Sequence, residues 1–269
     1  MKLSFSTLGC PRWTFPDILS TAKDLNLDGI EIRGLGDQMY APAIEEFSAA
    51  EREKTKRRLR ETGLEIPIFT SGAVLAEAKK AQSAFLEACA YIDLTAAFEV
   101  PYIRVMGTGE PQLTPGDFGL AAGLYRQLCA YGEAKNVTPL IETNGMLSDS
   151  GFMRDFLEDA GHPNSGVLWD VHHTVRYGEE TPLVTVAALG SHIRHVHVKD
   201  SSVFQGKTQY QMMGYGDIPL EATLALLQAI GYAGFVSLEW VKRWNPDLQE
   251  PGIVFAHFKS YMDGILDDR

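Results

Sequence analysis

Cysteine is scarce in this chain: Cys10, Cys89 and Cys129 are the whole complement, an odd number at wide, irregular spacing. That excludes a disulfide framework and a thiolate zinc site, and predicts a reducing compartment. The one dense stretch of lysine and arginine, 52–60, is interspersed with and flanked by Glu51, Glu53 and Glu61, and the formal net charge is -11. The mean field would repel a phosphodiester backbone, so nucleic acid is not expected as a partner, whereas a small anionic substrate at a locally positive mouth is compatible with it. No segment has the apolar length needed to span a bilayer, and Met1-Lys2-Leu3-Ser4-Phe5-Ser6 holds no apolar signal core. The chain therefore reads as a cytoplasmic protein without membrane contact. A glycine-rich phosphate turn is absent too: Thr7-Leu8-Gly9-Cys10-Pro11 follows the first apolar run, which argues against an open doubly wound sheet.

What the sequence does have is repetition. Its 269 residues, 45% hydrophobic, suit one barrel-sized domain over 1–269. Strand-type apolar runs fall at 3–6, 29–33, 65–70, 102–106, 138–142, 166–170, 193–198 and 235–239. Helical stretches follow each of them, at 16–25, 48–62, 75–98, 116–135, 150–160, 182–189, 220–230 and 252–266. Eight β-α units predict an α/β fold, a single-domain (β/α)8 TIM barrel. Helix-end signals agree with the phasing: Gly63 follows a basic helix end, and Gly231 and Gly234 bracket the seventh turn. The segment 199–219 is long for a βα connection, and long loops of this kind tend to be functional.

Four polar residues end four of the last strands: Glu142 in Leu140-Ile141-Glu142, Asp170 in Leu168-Trp169-Asp170, His197 in His195-Val196-His197, and Glu239 in Ser237-Leu238-Glu239. A lone carboxylate at a strand end is ordinarily a helix cap or a surface ion pair. Carboxyl ends of consecutive parallel barrel strands, however, converge on one mouth, where barrel active sites sit. Three carboxylates gathered there repel one another unless a cation neutralises them, and a His, Asp and Glu shell accepts one divalent metal ion, Mn, Mg, Co or Zn.

Around this centre other residues are candidates. His173, three residues after Asp170, is the preferred substrate contact; a helix cap or surface histidine is its bland alternative. Lys199 continues the face of His197 and meets a substrate oxygen or is a solvated loop lysine. His195 is expected in an inner layer of the core. Glu31, Arg33 and Arg104 have the parity to point inward, with Arg104 read as part of a buried ion-pair layer. Trp13, Tyr210, Trp240 and Trp244 could offer flat faces to a sugar ring, Trp13 and Trp240 being the substrate-binding candidates.

These residues resemble the xylose-isomerase-like barrels, the sugar phosphate isomerase and epimerase family, over nearly the whole chain. The carriers are Asp28-Gly29-Ile30-Glu31-Ile32-Arg33, Ile141-Glu142-Thr143-Asn144, Trp169-Asp170-Val171-His172-His173, Ile193-Arg194-His195-Val196-His197-Val198-Lys199-Asp200, Gly214-Tyr215-Gly216-Asp217-Ile218-Pro219 and Gly231-Tyr232-Ala233-Gly234-Phe235-Val236-Ser237-Leu238-Glu239. The resemblance implies that Glu142, Asp170, His197 and Glu239 bind the metal, that Glu142 and Glu239 act as acid and base, and that His173 contacts substrate. The implied activity is isomerisation or epimerisation of a ketose, sugar phosphate or keto-cyclitol through an enediolate, in a dimer or tetramer. Val203 stands where ketose epimerases carry an arginine, and Lys199 is similar to the lysine of inosose and keto-glycoside relatives. An inosose dehydratase or 3-keto-glycoside lyase is therefore the alternative. Schiff-base aldol chemistry at Lys199 and a non-catalytic sugar-binding barrel are further readings.

Overall fold

The computed structural model describes residues 1–267, so the last two residues of the predicted domain lie outside the described residues. Short apolar runs, buried on both faces, form the parallel strands β1 (Lys2–Ser6), β2 (Gly29–Glu31), β3 (Ile68–Val74), β4 (Tyr102–Met106), β5 (Thr138–Glu142), β6 (Gly166–Asp170) and β7 (Ile193–Val198). An added hairpin, β8 (Asp200–Phe204) and β9 (Lys207–Gln211), precedes the last parallel strand, β10 (Phe235–Leu238). Helices α1 (Phe15–Asp24), α2 (Arg52–Thr62), α3 (Ala81–Phe98), α4 (Phe118–Glu133) and α5 (Ser150–Ala160) follow the first five strands. Two helices, α6 (Val171–Arg176) and α7 (Pro182–Leu189), follow β6; α8 (Leu220–Ala229) and α9 (Pro251–Asp267) complete the last two units.

The parallel strands run in the order β2-β1-β10-β7-β6-β5-β4-β3. Single bridges, Gly29 to Glu65 and Ile32 to Phe69, join the two ends and close the barrel. Pro67 explains why this seam is not a full ladder and why β3 begins three residues later than predicted: a proline has no N–H to donate between those bridges. Local signals set the helix ends. Thr14 and Asp17 form a reciprocal capping box at the start of α1, and Gly63 ends α2 with φ 72°, a conformation that costs glycine little.

The main core lies between strands and helices. Phe5 stacks on Phe255 at 3.9 Å, and Phe47, Phe69 and Phe98 pack edge to face. Inside the barrel, Ile68, Leu140 and Leu168 form a small separate apolar layer with Tyr102 against it. Two residues further along each strand the same inward parity gives Thr70, Glu142, Asp170 and Arg104. The fold thus places an apolar plug directly beneath a polar floor.

The long connection expected at 199–219 is the β8–β9 hairpin, whose two central turn residues, Gln205 and Gly206, both have positive φ, 50° and 74°. Asp200 fastens its return: its carboxylate accepts N–H groups from Gly214 at 2.9 Å, Gly216 at 2.8 Å and Ile218 at 3.2 Å. A Cβ on residue 216 would lie 2.1 Å from Asp200 Oδ1 and 2.3 Å from Ser201 O. Gly216→Ala is therefore expected to destabilise the protein by about 1–3 kcal/mol, read from a denaturant melt; an unchanged midpoint would mean that the loop yields freely.

Candidate active site

Strand alternation and register bring the site together. Asp170 on β6 lies directly opposite His197 on β7, His197 lies opposite Ser237 on β10, and Glu239 follows one pleat later on the same inward face. Glu142, at the end of β5, completes the group. One donor atom from each of Glu142, Asp170, His197 and Glu239 falls within 4.8 Å of the others, and all four residues are buried.

His197 reads both sides of this floor. Its Nε2–H donates to Glu31 Oε2 at 2.8 Å, and His195 Nε2–H donates to the same oxygen at 2.9 Å. A carboxylate accepts only, so both rings carry hydrogen on Nε2. Nδ1 of His197 is buried without a hydrogen-bond partner. It faces Glu239 Oε1 at 3.5 Å, Asp170 Oδ2 at 3.8 Å and Glu142 Oε1 at 4.0 Å. Donors held tetrahedrally at about 2.1 Å from a cation are about 3.4 Å apart. The spacing and the orphaned nitrogen fit a divalent cation, and the set can hold one.

Charge balance at the floor comes from two buried cations. Arg104 donates to Glu142 Oε2 at 2.9 Å and to Ser71 O at 2.7 Å, and approaches Glu239 at 3.8 Å. Lys199 donates to Asp170 Oδ2 and to Glu239 Oε2, the latter at 2.6 Å. Burial alone would raise the pKa of Asp170; its neighbours His173 and Lys199 outweigh it and hold the carboxyl well below the usual range. Glu239 is likewise lowered, burial being overcome by Lys199 and His197. Glu31 is held low in the same way by His197 and His195. Burial would lower His197, but Glu31 and Glu239 raise it well above an ordinary histidine. Lys199 is raised, because Asp170 and Glu239 outweigh its desolvation.

Above the floor opens a cavity of about 420 Å³, onto which Glu142, Glu239, His173 and Lys199 all face. His173 sits in α6, capped by the Asp170 side chain, and its Nδ1–H donates to Thr143 O at 3.1 Å. Its Nε2 is then an acceptor, and burial lowers its pKa. Its neighbour His172 turns away to Ser201 Oγ at 2.9 Å, and burial pushes it down to about 2.

Two expected substrate contacts are corrected. Trp240 is 1% exposed, its Nε1–H bonds to Gln249 O at 3.1 Å, and it does not line the cavity. It follows Glu239, and strand alternation sends it outward. Trp13 stands edge-on to Phe255 at 5.7 Å, beside a separate cleft of about 130 Å³. The aromatic faces that do line the cavity include Tyr177, Tyr210 and Trp244. Tyr210 arrives on the hairpin, which the Gln205-Gly206 pair between alternating residues could have announced. Asn144, also on the wall, had its signal in Glu142-Thr143-Asn144.

Fold and floor together define a closed (β/α)8 barrel with an acidic, histidine-containing centre at the carboxyl ends of its strands. The xylose isomerase-like TIM barrel pattern matches residues 19–258, and the chain belongs to that family. Among solved structures it resembles the IolI protein with a bound zinc atom, at 17% identity over 100% of this chain and 99% of that one, with a TM-score of 0.82. It also resembles the probable 3-DHS dehydratase AsbF of Bacillus anthracis, at 18% identity over 97% and 98%, with a TM-score of 0.78. D-psicose 3-epimerase of Clostridium cellulolyticum H10 is similar at 17% identity over 99% of each chain, with a TM-score of 0.78. At such identities these likenesses establish the fold. No curated protein matches the sequence. Among the described residues no helix is long and apolar enough to cross a membrane.

Proposed function

We propose that the protein is a divalent-metal-dependent isomerase or epimerase that moves a carbon-bound proton beside the carbonyl of a small sugar or cyclitol. The observation that carries this reading is the partnerless His197 Nδ1, turned toward three carboxylate oxygens beneath a substrate-sized cavity. Glu142, Asp170, His197 and Glu239 would hold the cation, and solved structures of similar fold include one with a bound zinc atom and a sugar epimerase. A cation held by these residues would supply Lewis-acid polarisation of the substrate carbonyl and offset negative charge developing beside it.

The remaining work falls to this chain's own groups. Glu142 and Glu239 both face the cavity, so one can take the proton and the other return it. His173 offers Nε2 to a substrate hydroxyl, while Arg104 keeps Glu142 oriented. Tyr177, Tyr210 and Trp244 line the cavity and offer flat faces to a sugar or cyclitol ring. Lys199 is buried and paired with two carboxylates, so its amine is held protonated, which weakens the Schiff-base reading. A lyase reading keeps one specific support: the Lys199 ammonium faces the cavity and can donate a hydrogen bond to a departing hydroxyl or glycosyl oxygen, stabilising the charge it develops.

Elemental analysis of chain purified without added metal or chelator tests the centre. About one divalent ion per chain is expected, lost in Glu142→Gln, Asp170→Asn and His197→Ala. No uptake even after incubation with Mn, Co or Zn would overturn the reading. With metal-loaded protein, candidate ketoses and keto-cyclitols should exchange a carbon-bound proton with deuterated solvent; loss of water from the product would select the lyase.

A further inference from the structure

One cation on the cavity wall has no partner. Arg33 lines the cavity just beyond β2, and its guanidinium makes no hydrogen bond and no ion pair within 4.0 Å among the described residues. The other two cations on that wall are committed: Arg104 to Glu142 and Ser71, and Lys199 to Asp170 and Glu239. Arg33 is also held in place at its backbone. Its N–H donates to Thr7 Oγ1 at 2.9 Å, and that hydroxyl donates to Gly34 O at 2.7 Å, so the residue is clamped on both sides.

An unpaired guanidinium in such a setting is costly. Burial and the neighbouring Arg104 push it down to about 10, and the carboxylates of Glu239 and Glu87 act on it only from a distance. A protein of net charge -11 has ample acidic residues with which to neutralise a wall arginine, yet none of the described ones lies within ion-pairing distance. A planar fork of N–H donors, rigid at its base and facing a small-molecule cavity, is built to receive an oxyanion from outside the chain. With one uncommitted cation available, the charge to be matched is a single negative one. That selects a carboxylate over a phosphate dianion.

We infer that the substrate carries a carboxylate bound by Arg33 on the cavity wall just beyond β2. The compound class is a small keto acid of sugar or cyclitol type. This rests on the proposed function for the reacting end of the ligand, while the Arg33 contact itself stands on separate residues.

The test uses gluconate as a carboxylate probe, sorbitol as its uncharged counterpart and inorganic phosphate as the rival oxyanion. Calorimetric titrations are run on full-length wild type, Arg33→Met and Arg33→Lys, each metal-loaded and each stripped of metal and dialysed. Gluconate is expected to bind wild type in both metal states, at least ten-fold more weakly to Arg33→Met, and with intermediate affinity to Arg33→Lys; sorbitol should not distinguish the three. Gluconate binding equal in wild type and Arg33→Met, or absent from wild type, overturns the inference. Phosphate binding that exceeds gluconate binding and depends on Arg33 overturns the carboxylate assignment. Metal content is read on the same samples, so a chain that takes up no cation but binds gluconate through Arg33 sinks the proposed function and leaves this inference standing.

Discussion

Replacing Glu31 with leucine is expected to weaken manganese binding about 10- to 100-fold, although Glu31 lies outside the four-residue cluster assigned to the cation. The argument is one of hydrogen placement. Glu31 Oε2 accepts from Nε2 of both His195 and His197, which keeps hydrogen on Nε2 and makes Nδ1 of His197, without a hydrogen-bond partner, the nitrogen that faces the three carboxylates and would give up its proton to a cation. Leucine removes the acceptor, so hydrogen on His197 is free to move to Nδ1 and block the lone pair that the cation needs. Glu31→Gln keeps an accepting oxygen but loses the charge that makes the ring more basic, so a smaller loss is expected. Metal titration measures the affinity, and nitrogen chemical shifts of the His197 ring report the tautomer. Affinity unchanged in the leucine variant, with its fold intact, would sink the orienting role.

Lys199→Met should have its largest effect on metal-free protein. The ammonium bridges Asp170 and Glu239, and removing one member of a buried ion cluster costs about 3–5 kcal/mol. The chelated variant is expected to melt on the order of 10 °C below wild type at pH 7. The sign of the pH dependence follows from the lowered carboxyls. Their stabilisation is fully present above the unfolded carboxyl value of about 4 and is lost as pH falls through the folded values. The gap between wild type and variant should therefore shrink in acid. Saturating manganese should raise the melting temperature of the variant more than that of wild type, because the cation then supplies the missing positive charge. Equal melting of the two chelated proteins would show that the pair adds nothing to stability.

Much of this arrangement was legible from residue order alone. Glu142, Asp170, His197 and Glu239 each end a run with the apolar character of a buried strand, and two-residue parity puts all four on one face. Loops follow a different logic. Trp13 and Trp240 look like mouth aromatics because they sit near strand ends, but their directions depend on the turn at 7–9 and on the parity step after Glu239. The β8–β9 hairpin is hard to read because its strands lack an apolar run, and because Asp200 and three backbone N–H groups hold its return. Helix α6, six residues long, lies below the length at which periodicity is visible. Arg33 and Glu31 could be given inward parity from sequence. What each one meets, a cavity for the first and two imidazoles for the second, depends on other strands, the imidazoles lying 164 and 166 positions from Glu31 in the chain.

The order of the strands has a consequence for the chain as it is synthesised. β10 lies between β1 and β7, so the strand made last joins the first strand to the rest of the barrel, and Glu239 stands at its end. A nascent chain, or one clipped before residue 235, lacks both the closing strand and one of the four residues assigned to the cation. The four-residue cluster is thus absent until β10 has been made, and an unfinished copy, or one clipped before that strand, has neither a closed barrel nor a complete floor.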